Sequence, residues 1–512
     1  MKTPSVIVGW IVLLVGALAA WAQDPSPDPV AAPAAPAAPA PSAASAAPAT
    51  PAGQDGEMAP EGPPQEPGDS GAGPAPTKPP ANPYQGVFYD NDFSYLEGPS
   101  TAERHFGDMW KRLHLGECMV FDVGGEYRLR QHNEHILTRD NDFLLQRTRV
   151  YGNLGIQGWI RLYAEAIDAT SSWEDLPPRA IEENRFDALN LFGEVRVLDG
   201  CRGDLWLRAG RQELLYGAQR LISPLDWANT RRTFDGARLL WKGEDWNADA
   251  FWVRPVPQAQ HLGNDHNFDH PDSSQEFFGV YLTRKGWESH KLDLYYLRYA
   301  EHEGRPDFSY HTLGGRWEGQ RDNWLGEIEA GYQFGEFGPR DHSAGFYTVG
   351  VGRKLARLPW SPVLWAYYDW ASGDRDPNDS LHGTFNQLFP LGHKYFGWMD
   401  IVGRQNIEDW NFQLTFTPHP AAAITLWGHV FRLQQARDAL YDASGSPLRQ
   451  DPTGAAGRDV GQELDVTLKW TLTPRANVLF GCSHLWPGAF LFDTPGGAGG
   501  RDFYYTQLTA TF

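Results

Sequence analysis

Eight arginines between residues 122 and 241 recur at alternate positions of short segments: Arg128, Arg130, Arg147, Arg149, Arg161, Arg196, Arg208 and Arg238. A guanidinium is a planar, permanently charged fork that meets a carboxylate through two parallel N–H···O bonds. A column of such forks could hand the carboxylates of an acidic polymer from one site to the next. The same polar face also carries Asp122, Glu126, Glu165, Glu194 and Asp204, so a brace of internal salt bridges is the competing reading. Further along the balance reverses: Asp293, Glu318, Glu327, Glu329, Asp369, Asp409, Glu463 and Asp465 outnumber Lys291, Arg316 and Lys469.

Other chemistry finds little support. His429 and His484 stand alone within apolar, alternating segments, with no Ser-His-acid set at matching depth, so no catalytic residues are expected. "DRDPND" (Asp374–Asp379) matches the first alternate positions of a calcium loop but lacks the glycine at the sixth and the glutamate at the twelfth. "HLGNDHNFDH" (His261–His270) holds three histidines without a tight ligand spacing. Neither a metal nor a cofactor is expected. The net charge of −20 argues against a nucleic-acid partner, whose phosphates require a basic face.

The elements that would carry the arginines alternate with period two. In "DVGGEYRLR" (Asp122–Arg130), Val123, Gly125, Tyr127 and Leu129 share one face, and Asp122, Glu126, Arg128 and Arg130 the other. The same alternation recurs down to "FYYTQLTATF" at the end of the chain and gives about eighteen strands. The links after even-numbered strands are tight, such as "DGCRG", "KGEDW" and "TPHPA". Those after odd-numbered strands are mostly long, as in Thr170–Asp187, Leu214–Arg232, Ser372–Gln405 and Gln435–Gly461. Short turns at one end and long loops at the other characterise outer-membrane barrels. A mean hydropathy of −0.48 beside 21 Trp fits a polar lumen ringed by aromatic girdles. The expected fold is an all-β, transmembrane antiparallel β-barrel of about 18 strands, a size that leaves an aqueous channel. Cys118 and Cys201 should lie at one rim about four strands apart. At ~4.8 Å per strand this exceeds the ~7 Å limit for a disulfide.

Upstream of the barrel, residues 1–22 read as a secretory signal peptide: Lys2, an apolar run and the Ala20-Trp21-Ala22 site. Residues 23–83 form a Pro/Ala-rich tract expected to be an extended, disordered linker. Residues 84–117 should be a periplasmic segment with a few turns of helix around Arg104–Leu113, hugging the rim rather than plugging the pore. The barrel should occupy 118–512, with both termini in the periplasm.

Three stretches resemble the alginate export family of outer-membrane porins: "FDVGGEYRLR", "GRQELLYGAQRLISPLDWANTRRTFDGARL" (Gly210–Leu239) and "ASGDRDPNDSLHGTFNQLFPLGHKYFGWMD" (Ala371–Asp400). The resemblance implies an eighteen-stranded pore in outer-membrane lipid, lined by the basic residues above, that passes an anionic polysaccharide of alginate type. It implies long loops folded over or into the channel, and export machinery in the periplasm as a partner. By that resemblance Arg211 and the loop Leu214–Arg232, with Arg220, Asp226, Trp227, Arg231 and Arg232, constrict the pore and contact substrate. The sticky, aperiodic "LFPLGHKYFGWMD" (Leu388–Asp400) becomes a second loop. Its Leu388, Phe389, Tyr395, Phe396 and Trp398 would pack on the inner wall, while His393, Lys394 and Asp400 face the channel. A general porin for small anionic solutes is the alternative.

Overall fold

A computed structural model describes residues 83–97, 104–258, 268–285, 287–303 and 306–512. The signal peptide and nearly all of the Pro/Ala tract therefore lie outside the described residues, as does most of the His261–His270 segment. Eighteen long strands alternate up and down. In chain order they are β1 Met119–Leu137, β2 Arg139–Ile156, β3 Ile160–Ser172, β4 Asn184–Gly200, β5 Gly203–Gln212 and β6 Thr233–Gly243. Next come β7 Trp246–Val256, β8 Gln275–Arg284, β9 His290–Glu301, β10 Phe308–Arg321, β11 Trp324–Phe337 and β12 Arg340–Lys354. The series ends with β13 Val363–Ala371, β14 Ile407–His419, β15 Ala422–Leu433, β16 Asp459–Thr473, β17 Ala476–Pro487 and β18 Gly500–Thr511. Each pairs antiparallel with its neighbours, and β18 returns to β1 in register from Glu126↔Thr511 to Leu137↔Gly500. The sheet is a closed barrel. Closure satisfies every edge, which hydrocarbon surroundings demand.

The period-two reading of β11 shows why the strands stand as they do. Glu327 and Glu329 point inward and are buried, while Ile328 and Tyr332 are exposed on the outer face. Outward Leu162, Leu191, Val349, Val351 and Phe412 continue this apolar band. Trp159, Trp287, Trp324 and Trp470 rim it at the short-turn end, and Tyr332, Trp410 and Tyr504 toward the long loops. Amphipathic rings at both edges of the hydrocarbon are the girdles of a membrane barrel. Inside, aromatic rings lie over glycines directly opposite on the next strand: Phe251 on Gly279, Tyr295 on Gly314 and Tyr505 on Gly481. Each ring fills the space that a missing side chain leaves.

Two expectations need correction. Arg104–Leu113 forms no helix beyond a three-residue 3₁₀ turn at Asp108–Trp110. The preceding segment does not hug the rim: Val87, Phe88 and Tyr89 enter the barrel and pack on inward-facing Tyr151, Tyr163 and Phe192. Phe106, Met109, Trp110 and Leu113 fall at helical spacing, but Phe106 and Trp110 turn to the Phe512 ring instead, while Val87–Tyr89 find an aromatic pocket inside the lumen. Cys118, Cys201 and Cys482 are free thiols.

Candidate functional site

Arg196 excepted, the predicted lumenal arginines form a contiguous patch across β1 to β6, and each has an acidic partner or lies against an inserted loop. Arg128 and Arg147 sit on β1 and β2, directly opposite in register. The loop between β5 and β6 folds into the barrel and sets Asp226 between them. Arg128 Nη2 donates to its carboxylate at 2.8 Å and Nη1 to its carbonyl at 2.7 Å, and Arg147 Nη2 donates to the carboxylate at 2.8 Å. Arg231, from the same loop, supplies a third guanidinium to Asp226. Arg147 also holds Glu126 at 2.7 Å and the carbonyl of Ala228 at 3.0 Å. Burial by itself would raise the Asp226 carboxyl, but the guanidiniums of Arg128, Arg147 and Arg231 outweigh it and hold the group well below the usual carboxylate range.

The other predicted residues spread around this centre. Arg130 lies 3.8 Å over the Trp227 ring and donates to the Trp227 carbonyl at 2.7 Å. Arg149 pairs with Glu165 at 2.7 Å and, more loosely, with Glu213 at 3.6 Å. Arg208 and Arg161 share Glu194 at 2.7 and 3.3 Å, and Arg238 pairs with Asp249 at 2.6 Å. Arg211 leaves the lumenal stripe to grip Asp235 at 2.8 Å at the end of β5. Arg196 stands apart at the short-turn rim, on Asp199 and Asp204 at 2.9 and 2.7 Å.

The same loop also reaches the acidic wall. Arg220, six residues before Asp226, donates to Glu327 and Glu329 on β11 at 2.6 and 3.0 Å. β11 is ten steps from β1 in one direction around the ring of eighteen and eight in the other, so the loop is a strap across the lumen. Its acid meets the basic wall and its base meets the acidic wall.

The loop between β13 and β14 docks against this strap. Phe389 N–H donates to the Leu221 carbonyl at 2.9 Å, Ser223 N–H to that of Phe389 at 2.9 Å, and Leu391 N–H to that of Gln219 at 2.9 Å. Arg232 turns to the second loop as well, donating to the Pro390 carbonyl at 3.1 Å. On the far side, Arg404 holds Asp369 at 2.7 Å, and the amide of Met399 donates to Glu463 at 3.0 Å. Phe389, Phe396 and Trp398 are buried, as a packed loop requires. His393 and Lys394, two of the three residues expected to face the channel, are buried instead, and His393 lies between the two loops. His393 stacks on Trp227 and its Nδ1 lies 3.1 Å from Asp400. Asp374, in the calcium-like stretch, is taken by Arg340 at 2.8 Å. His429 is buried beneath the second loop against Asp409 at 2.8 Å, and His484 pairs with Asp502 at 2.7 Å.

Sequence reasoning missed the role of the acids. Glu327, Glu329, Asp369 and Glu463 looked like a second lining, yet they are the anchor points of the two loops. The signal was present in Arg220 and Arg404, each a cation beside a short apolar run, Leu221-Ile222 and Ile401-Val402.

A closed eighteen-stranded barrel with an apolar outer band, a charged lumen and inserted loops is an outer-membrane porin. The family model for alginate export matches residues 120–504, and the chain belongs to that family. No curated protein matches. Among solved structures, the barrel is similar to OccK3 (OpdO) of Pseudomonas aeruginosa, at 13% identity and a TM-score of 0.53 over 77% of this chain and 95% of that one. Acinetobacter baumannii OccAB1 follows at 9% identity and a TM-score of 0.53, over 78% and 99%. Pseudomonas aeruginosa OccK2 (OpdF), solved in complex with glucuronate, is similar at 13% identity and a TM-score of 0.51, over 77% and 97%. At these identities the likeness shows the fold alone.

Proposed function

We propose that the barrel is an export pore for a carboxylated polysaccharide of alginate type, moving by diffusion along a partly arginine-lined lumen gated by the two long loops. The observation that carries this reading is the cradle around Asp226: three guanidiniums converge on one carboxylate inside the lumen. A uronate presents the same group, and a polymer of uronates presents it repeatedly, so Asp226 stands where a polymer carboxylate would compete. Membership of the alginate export family supports the cargo class. In this reading residues 1–22 direct export, the short turns and both termini lie in the periplasm, and the tract 23–83 tethers the barrel toward a periplasmic synthesis or export complex.

The second reading is a general porin for small anionic solutes. A barrel of the same fold, OccK2, is solved with glucuronate, a single uronate. One variant tests both. Asp226→Asn removes the negative charge from the cradle while keeping its shape. In planar bilayers the reversal potential should shift toward anions and block by oligouronates should strengthen. The polymer reading expects the gain to grow with chain length; the small-solute reading expects equal gain for glucuronate and its oligomers. An unmoved reversal potential in a folded barrel would make these arginines a brace and remove the cradle as support for an acidic cargo.

A further inference from the structure

One segment inside the lumen plays no part in the reading above. Gln85–Phe93 folds on itself: Asp90 N–H donates to the Val87 carbonyl at 3.1 Å, Asn91 N–H to that of Phe88 at 3.2 Å, and the Asn91 side chain accepts from Gln85 N–H at 2.8 Å. It shares no strand ladder with the barrel. What holds it is side-chain insertion. The Arg149 guanidinium lies 3.9 Å over Phe88, and that of Arg208 lies 4.2 Å over Tyr89 and 4.1 Å over Phe192. The Tyr89 ring meets Phe192 edge-on at 5.4 Å. Polar contacts tie the segment to the strap: Tyr89 Oη donates to the Glu213 carbonyl at 2.7 Å, and Arg231 Nη2 donates to the Gly86 carbonyl at 2.7 Å.

We infer that Gln85–Phe93 is a self-inhibitory plug of the periplasmic half of the pore, which leaves as one unit toward the periplasm and so uncovers Arg149 and Arg208. Three features argue for a plug over a permanent brace. It has no ladder bond to the barrel, and the wall and strap reach its backbone only through side chains, Arg161 at the Tyr89 carbonyl and Arg231 at the Gly86 carbonyl, so departure breaks no ladder bond. It covers two arginines with aromatic faces, weak contacts that an incoming polyanion can replace with stronger charge-assisted bonds. It also grips Arg231, the third guanidinium at Asp226, so withdrawal loosens the strap and couples the two closures. The chain before it is the Pro/Ala-rich tract, whose composition suits a tether long enough to follow the movement. The chain after it is pinned at the short-turn rim, where Arg475 holds Asp108 and Lys111 Nζ donates to the Phe512 carbonyl at 3.0 Å, so the plug stays attached when it leaves.

The test uses the full chain in planar bilayers with potassium chloride alone. Phe88→Ala/Tyr89→Ala removes the inserted rings; single-channel conductance should rise severalfold while the barrel keeps its heat-modifiable migration. Unchanged conductance in that folded barrel would overturn the inference. A second variant, Tyr89→Cys/Phe192→Cys with Cys118, Cys201 and Cys482 changed to Ser, locks the plug in place. Oxidation should hold conductance at the closed level and reductant should restore it; a cross-linked pore that conducts like the reduced one would overturn the inference equally. Small-ion conductance is the readout, so failure here leaves the uronate reading of the cradle untouched.

Discussion

The rings of Trp227 and His393 lie parallel within 6°, their centroids 3.5 Å apart, and this stack joins two loops that are remote in the chain. Arg130 lies 3.8 Å over the same indole. Two planar groups that close to one ring centre must occupy its opposite faces, so Trp227 is clasped between the β1 wall and the second loop. Its Nε1–H donates to Asp400 at 3.1 Å, and Asp400 also meets His393. One residue thus links wall, strap and second loop.

Trp227→Ala should therefore release both loops together. Aromatic pairs contribute ~0.5–1.5 kcal/mol beyond their buried area, too little to unfold an eighteen-stranded barrel but enough to populate an open lumen. Single-channel recordings should show larger and longer openings, with heat-modifiability retained.

Arg220 is the strap's anchor on the acidic wall. Arg220→Met leaves Glu329 without its guanidinium and Glu327 with only Arg316, at 3.0 Å. Breaking a buried pair from one side costs about 3–5 kcal/mol. The thermal midpoint in detergent should drop, and Glu329→Gln in the same chain should recover part of the loss. A double-mutant cycle measures the coupling.

Acidification should leave the basic end of the strap closed over a wide range. The Asp226 carboxyl is depressed in the folded chain by its three arginines against the cost of burial. A depressed carboxylate contributes stability that is fully present above its unfolded value, ~3.9, and is lost as pH falls through the folded value. Protease protection of the β5–β6 loop should be flat from neutral pH to about pH 5 and decline only below the ordinary carboxylate value.

Gly397 gives a local test of the second loop. Its φ is +79°, and a Cβ there would stand 2.4 Å from the Glu463 carboxylate that receives the Met399 amide. Gly397→Val is strained on both counts. Limited proteolysis of the folded barrel should then cut within residues 388–400, where the native chain resists.

Single cysteines read the topology. Labels at Asn378 and Gln450, exposed on long loops, should react with an impermeant reagent on intact cells. Labels at Asp199 and Glu244, on short turns, should react only after the outer membrane is opened.

The strand number, the inward phase of Glu126, Arg128 and Arg147, and the alternation of short and long links were legible in the chain itself. Period-two patterning is a local property, and a closed barrel obeys it at every strand because one face meets lipid and the other does not. The Asp226 cradle, the reach of Arg220 to Glu327 and Glu329, and the Trp227–His393 stack were decided by tertiary structure alone. Each joins residues far apart in sequence, on loops without a repeating pattern, and their partners depend on which walls closure sets opposite one another. The same holds for Val87–Tyr89: nothing near them in sequence announces the aromatic pocket that Tyr151, Tyr163 and Phe192 form only once three strands stand side by side.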